Sequence, residues 1–199
     1  MDDVTASFPL LGEPLPVELV NTHFARRGVP VEGLRRPQDL AAWLAAHRGQ
    51  FEATVDTEAA ARRLEDVRAL RDTLRELFAA VVAGRRPTET AIATLNRLSR
   101  QAPTAPRLDW PPAGWPSITV QPATADPGAV LLAELARAGI HLLGGPDRRR
   151  LRACQAPGCM LFFVKQHPRR EWCSAACGNR ARAARHYARH RTHPSPARQ

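Results

Sequence analysis

All four cysteines of this chain lie within 24 consecutive residues near its C-terminal end, spaced as Cys154-x4-Cys159-x13-Cys173-x3-Cys177. Two close pairs separated by about the length of a hairpin can offer four thiolates to one tetrahedral ion. Cys173 and Cys177 are four residues apart, so a helix would project both thiols from one face. The pattern predicts one structural Zn²⁺ held by all four cysteines, with no open position for a reacting water.

Whether the cysteines bind a metal, form disulfides or remain free thiols depends on the redox compartment. The acidic, polar start Met1-Asp2-Asp3 lacks the basic region and apolar run of a signal peptide, so we expect a cytoplasmic protein. In a reducing compartment, paired cysteines are more often metal ligands than bridges. Two disulfides or free thiols remain the alternatives, and His167, between the pairs, could replace one thiolate.

The positive charge of the chain is concentrated beside these cysteines. Residues 148–199 hold thirteen basic residues and one acid, or +12, whereas residues 1–147 hold sixteen basic and eighteen acidic residues, or −2. A basic segment on a near-neutral body favours a polyanionic partner, most often nucleic acid, with a solubilising tail as the alternative. No stretch approaches the roughly 20 apolar residues of a membrane span, so we expect a soluble protein without a membrane partner.

The apolar periodicity predicts an α+β protein whose N-terminal domain is mostly helical and carries one short β-hairpin. We place the domains at residues 1–147 and 148–191, followed by a disordered tail at residues 192–199. Asn21-Thr22-His23 is polar in an apolar setting and could line a pocket or form a cap or turn. The predicted helices cover about residues 16–22, for which a strand is the alternative, 39–47, 57–83, 88–98 and 127–143, and the predicted strands cover residues 107–110 and 117–121.

The cysteine segment predicts a treble-clef-like finger made of a β-hairpin and a helix. Pro157 and Gly158 favour a tight turn between the first two cysteines. Residues 160–164 and 171–173 are the predicted hairpin strands, joined by a turn at residues 167–170. Ser174 is the expected N-cap of a helix that runs to about Arg191.

This last helix has two contrasting faces. Cys177, Ala181, Ala184 and Ala188 fall on one face, which we expect to pack against the hairpin. The basic residues cover the far side, and no acidic residue on the helix neutralises them. Arginine forks bind phosphates or guanine edges, and an asparagine amide can pair with adenine. Bracing of the zinc site and contact with nucleic acid both remain open for Asn179 and Arg180. The predicted nucleic-acid-binding residues are Asn179, Arg180, Arg182, Arg185, His186 and Arg189.

Residues 169–190, RREWCSAACGNRARAARHYARH, resemble the finger of the bacterial CGNR zinc finger family. Upstream, residues 18–22 (ELVNT), 39–44 (DLAAWL) and 69–74 (ALRDTL) resemble the ABATE domain that precedes this finger in the family. The resemblance covers nearly the whole chain. It implies a stress-induced transcription regulator, in which a mixed α/β domain senses an effector and the finger binds DNA.

These observations lead to the hypothesis of a zinc-dependent DNA-binding regulator whose N-terminal domain senses an effector, dimerises, or does both. A single finger buries only roughly 600–1,000 Å² on DNA, which favours a homodimer. The alternatives are a zinc-finger module that binds RNA or protein, and a redox sensor that loses zinc on oxidation. The chain shows no Gly-rich phosphate loop, spaced carboxylate pair or nucleophile motif, so we expect no enzyme.

Overall fold

The computed structural model describes residues 8–51 and 56–191. Within these residues the chain combines helices with short antiparallel hairpins, which confirms the predicted α+β class. The predicted tail lies outside the described residues. The helices are α1 (Leu15–Val20), α2 (Pro37–Ala46), α3 (Thr57–Ala61), α4 (Leu64–Val82), α5 (Glu89–Ser99), α6 (Pro127–Gly144) and α7 (Ala175–Arg191). The strands are β1 (His23–Arg26), β2 (Val29–Glu32), β3 (Thr104–Asp109), β4 (Ser117–Pro122), β5 (Leu151–Ala153) and β6 (Phe162–Val164).

The single helix predicted for residues 57–83 is wrong, because the structure divides it into α3 and α4. The N–H of Arg63 donates to the carbonyl of Ala60 at 3.0 Å, a tightened turn that ends α3. The break lets α3 pack against α2 and α6 while α4 packs against α1, α5 and α6. The predicted end of α4 is confirmed, since Gly84 has φ +65° and donates its N–H to the carbonyl of Val81.

The core of the N-terminal part is formed around α1, α4 and α6. Every residue of α1 is buried, including the charged Glu18. Trp43 of α2, Phe78 of α4 and Leu131 of α6 are fully buried in the same apolar cluster. This cluster continues into the cysteine segment, where Phe163 is also fully buried. No helix in the described ranges is both long and apolar enough to span a membrane.

The hairpin of the finger differs from the prediction. β6 pairs in antiparallel register with β5, so that Leu151 lies opposite Val164 and Ala153 opposite Phe162. The prediction that residues 171–173 return as the partner strand is therefore wrong, since that segment is irregular. The turn that carries the first two cysteines closes the β5–β6 hairpin itself, where the N–H of Cys154 donates to the carbonyl of Leu161 at 2.8 Å.

Candidate zinc centre and basic helix

The first two cysteines are held by a tight turn at the end of the β5–β6 hairpin. The N–H of Cys159 donates to the carbonyl of Ala156 at 2.9 Å. Gly158 has φ +68°, a left-handed conformation that glycine adopts without the steric cost of a Cβ. The turn therefore brings the thiols of Cys154 and Cys159 to the same side, as the Pro-Gly pair predicted.

The second pair is positioned by the start of α7. The hydroxyl of Ser174 accepts the N–H of Cys177 at 3.3 Å, the N-cap contact that the sequence predicted. Cys173 precedes the helix and Cys177 lies in its first turn, so their sulfurs come within 3.4 Å. One helix start thus delivers two thiols to the thiols of the turn.

The four sulfurs have the geometry of one zinc site. Every sulfur lies within 4.8 Å of the other three. The Cys159 Sγ atom is 3.8 Å from the sulfurs of both Cys173 and Cys177. A tetrahedron with Zn–S bonds of about 2.3 Å has edges of about 3.8 Å, which is close to the separations of 3.4 and 3.8 Å between these sulfurs. The prediction of one structural zinc is confirmed, and the structure brings the four predicted ligands Cys154, Cys159, Cys173 and Cys177 together.

The alternatives for the cysteines do not match this geometry. All four cysteines are free, and the separations of 3.4 and 3.8 Å between sulfurs exceed the ~2.05 Å of a disulfide bond. His167 is exposed and its Nδ1 atom accepts the N–H of Arg169 at 3.1 Å. The His167 ring therefore forms a hydrogen bond within its own turn, and His167 is not part of the cysteine cluster.

The electrostatics of the cluster also favour a cation. Hydrogen bonds from the thiols of Cys159 and Cys173 lower the pKa of Cys154 and favour its thiolate. Hydrogen bonding to that same thiolate raises the pKa of Cys159 and Cys173, and burial raises both further. A divalent cation among the sulfurs removes this competition, because it stabilises all four thiolates together.

The Gly178-Asn179-Arg180 segment packs around the metal site. Arg180 donates from Nη2 to the Cys177 Sγ atom at 3.2 Å, which adds a positive charge beside a ligand sulfur. A Cβ at Gly178 would lie 3.0 Å from Cδ1 of Trp172, so glycine allows the indole to approach α7. The Asn179 side-chain oxygen accepts a hydrogen bond from the guanidinium of Arg182. For Arg180 these contacts favour bracing of the zinc site.

Two buried polar residues of the N-terminal part bind the finger hairpin. Asn21 lies at the end of α1, is fully buried, and pairs with the backbone of Phe162 in β6 through two hydrogen bonds. Its Nδ2 donates to the Phe162 carbonyl, and its Oδ1 accepts the Phe162 N–H, both at 2.9 Å. Glu13 accepts the N–H of Val164 at 2.8 Å and forms an ion pair with Arg170.

Arg75 of α4 extends this connection. Its guanidinium donates to the carbonyl of Met160 at 3.0 Å, and to the carbonyls of Val20 and His23 at 2.6 Å. The same group lies 5.7 Å from the ring centroid of Phe162. Burial lowers the pKa of Arg75, and its three carbonyl contacts compensate for that burial.

Sequence reasoning missed this connection between the N-terminal part and the finger. The only signal was the polar Asn21-Thr22-His23 run, for which both a pocket and a cap remained open. In the structure the Thr22 hydroxyl donates to the carbonyl of Leu19 at 2.7 Å. The Asn21 side chain instead forms a hydrogen bond with Phe162 of the finger. Glu13 and Arg75 carried no pattern that set them apart from other charged residues.

The basic residues of α7 lie on the surface. Arg182, Arg185, His186 and Arg189 are all exposed, as are Asn179 and Arg180 despite their local contacts. The opposite face packs only at its beginning, since Ala181 is buried, Ala184 is half-buried and Ala188 is exposed. The prediction that Ala188 packs against the hairpin is therefore wrong, since Ala188 is exposed and β5 and β6 have only three residues each.

Comparison with known families divides the chain into two matched regions, which meet between residues 146 and 150. The ABATE family model, described as a putative stress-induced transcription regulator, matches residues 13–146. The CGNR zinc finger model matches residues 150–190. The resemblance inferred from the sequence motifs is confirmed by both matches. No curated protein matches the chain.

Proposed function

The chain belongs to the ABATE family, whose model covers about two thirds of it, and we propose that it is a zinc-dependent DNA-binding transcription regulator. In this proposal the protein is cytoplasmic, acts in a bacterial stress response, and binds rather than catalyses. The observation that carries it is the surface of α7, where one end is fixed by the zinc site and the exposed side is basic.

The dimensions of α7 suit the major groove of DNA. The helix has 17 residues, about 26 Å at 1.5 Å per residue, and residues 185–189 in its second half are exposed. An α-helix of this kind fits a groove about 12 Å wide. The metal site restricts the start of the helix, so the entropy lost on binding is smaller than for an isolated basic peptide.

The basic residues of α7 divide into two groups by their contacts. Arg182, Arg185 and Arg189 recur at three- and four-residue steps, so they form one row that can bind phosphates or guanine edges. Asn179 orients Arg182 through the hydrogen bond between their side chains. Arg180 acts on the zinc site through Cys177, so its role in DNA binding is to position the helix.

The N-terminal domain supplies regulation in this proposal, through effector sensing, dimerisation or both. Its physical connection to the finger is the set of contacts that Asn21, Glu13 and Arg75 make with the segment between Met160 and Val164. A change in the packing of α1 or α4 would move the β6 strand, and with it the turn that carries Cys159. An effector bound to the N-terminal domain can therefore alter the orientation of α7.

The first test is selection of bound duplexes from a random DNA library by the zinc-loaded protein, at about 150 mM salt, where nonspecific contacts are weakened. The proposal requires an enriched sequence motif. A protein that retains zinc and enriches no motif would refute sequence-specific regulation. Equal competition by tRNA would then assign the alternative function, an RNA-binding zinc finger.

The second test assigns α7 to the interface. Arg185→Ala should reduce the slope of log K against log salt by about 0.9, the effect of one lost phosphate contact, without loss of zinc. Arg97→Ala is the matched control, since Arg97 is an exposed arginine of α5 and its loss changes the net charge equally. Equal slopes for both variants would contradict the assignment of Arg185 to the DNA interface.

A further inference from the structure

The β3–β4 hairpin is an amphipathic ribbon. The antiparallel register places Leu108 opposite Ile118 and Pro106 opposite Val120. Since side chains alternate between the faces of a strand, these four residues share one apolar face. Arg107, Asp109, Ser117, Thr119 and Gln121 lie on the other face, together with the small side chain of Ala105.

The apolar face of the ribbon is open to solvent. Leu108 is 62 % exposed and Ile118 is 77 % exposed. Trp110, which follows β3, is 68 % exposed, and Trp115 in the connecting turn is 91 % exposed. Among the described elements, β3 and β4 make extensive contacts only with each other. Four large apolar side chains exposed on one hairpin are typical of an interaction site.

The ribbon is attached firmly at its base. Arg137 of α6 donates to the carbonyls of Ser99 and Ala102, at 3.3 and 3.0 Å, just before β3 begins. Ala102 is fully buried against Val130 and Ala133 of α6. The ribbon therefore leaves a fixed base, and its apolar face is presented in a defined direction.

We propose that this apolar face is a dimerisation surface and that the same face of a second copy of this chain covers it. Two ribbons packed face to face form a small sandwich with apolar residues inside and the polar residues outside. The two ribbons are identical in length and twist, so the three residue pairs on this face can lie against the same three pairs of the second copy. This dimer rests on the proposed function for its role, since it presents two α7 helices to one DNA.

The available area suits a dimer of moderate strength. A buried tryptophan contributes about 150–250 Å², so the exposed parts of the four large side chains offer roughly 450–600 Å² per copy. A symmetric pair would bury about 900–1,200 Å², the lower limit of specific interfaces. A partner without an apolar surface of its own would bury only the apolar area of one ribbon, which is half of this total.

The edges of the ribbon disfavour the other common use of a hairpin, the addition of a strand. The N–H of Ala123 donates to the Pro103 carbonyl, and the alternation of the ladder then directs the backbone of Pro106 and Pro122 outward. Proline has no N–H, so both outer edges lack a donor that strand addition needs. The face of the ribbon is therefore its binding surface.

The test is sedimentation equilibrium of the zinc-loaded full chain without DNA, at about 1–100 µM, a range that covers micromolar dissociation constants. We expect a dimer for the wild type. Ile118→Lys should weaken it at least about ten-fold, because each copy would bury an unpaired ammonium in the interface. Thr119→Lys, on the polar face of the same strand, carries the same charge change and should leave the dimer intact.

Three results would overturn this inference. They are a monomeric wild type at about 100 µM, an Ile118→Lys variant that dimerises as strongly as the wild type, and equal weakening by both lysine variants. Both positions are exposed, so circular dichroism and zinc content serve as checks that the variants fold. Because no DNA is present, failure of the dimer is distinguishable from failure of DNA binding.

Discussion

Asn21→Ala tests whether the N-terminal domain and the finger form one cooperative unit. Asn21 is fully buried, and its amide makes both hydrogen bonds to the Phe162 peptide, which is itself buried. Alanine would leave the N–H and the carbonyl of Phe162 without partners. Each unsatisfied buried group costs about 1–3 kcal/mol, so the free energy of unfolding should fall by about 2–6 kcal/mol. This is a large share of the roughly 5–15 kcal/mol of a typical domain.

The assay is urea unfolding of the zinc-loaded protein, followed by tryptophan fluorescence and by zinc release to a chromophoric chelator. The apolar cluster includes residues of both the N-terminal part and the cysteine segment, so we expect one transition by both probes. The Asn21→Ala variant should also release zinc faster in the absence of urea, because β6 leads directly from the metal-binding turn.

The matched control is Asn96→Ala, since Asn96 is an exposed residue of α5 and its loss should change stability by less than about 0.5 kcal/mol. A similarly small effect for Asn21→Ala would refute the reasoning. Zinc release in a separate transition, before the fluorescence change, would show that the finger unfolds independently of the N-terminal domain.

Two further substitutions test the zinc-proximal packing and the N-terminal domain. Gly178→Ala should reduce the free energy of unfolding by about 1–3 kcal/mol, because the new Cβ would meet Cδ1 of Trp172 at 3.0 Å. Gly49→Ala is the control, because a Cβ at Gly49 would meet no atom within 4 Å. Equal urea midpoints for both variants would contradict this packing. Although burial raises the pKa of Glu32, hydrogen bonds from Arg71 and Leu34 together hold it below the ordinary 4.5. Its carboxylate therefore stabilises the fold above that pH, and this contribution is lost as the pH falls through the lowered pKa. Glu32→Gln should lower stability at pH 7 and lose less on acidification than the wild type; parallel pH profiles of unfolding would contradict it.

The local features of the metal site could be predicted from the sequence because they depend on residues close in the chain. The cysteine spacing, the Pro157-Gly158 turn and the Ser174 cap each follow from local backbone geometry. The same reasoning failed for the hairpin of the finger. The β5 strand has only three residues, Leu151–Ala153, and its pairing with β6 depends on contacts with the N-terminal part that no local pattern records.

Helix periodicity likewise predicted more than it could determine. It located α4, α5 and α6, and for α4 and α5 also the apolar face, since burial on one side imposes a period of 3.6 residues. It could not predict the break between α3 and α4. The apolar periodicity resumes after Arg62 and Arg63, although the helices on the two sides of these residues pack against different sets of elements. It also placed Ala188 in a packed stripe, whereas Ala184 is half-buried and Ala188 is exposed.

The sequence by itself determined the zinc ligands, the basic helix and the family, because each depends on residue types at fixed spacing. Only the tertiary structure showed that Asn21, Glu13 and Arg75 connect the N-terminal domain to the finger, since these residues lie 85 or more positions from their partners in the finger. It also decided which apolar residues remain exposed. Leu108 and Ile118 have the alternation of any half-buried strand, and whether a strand face is covered depends on the elements that pack against it.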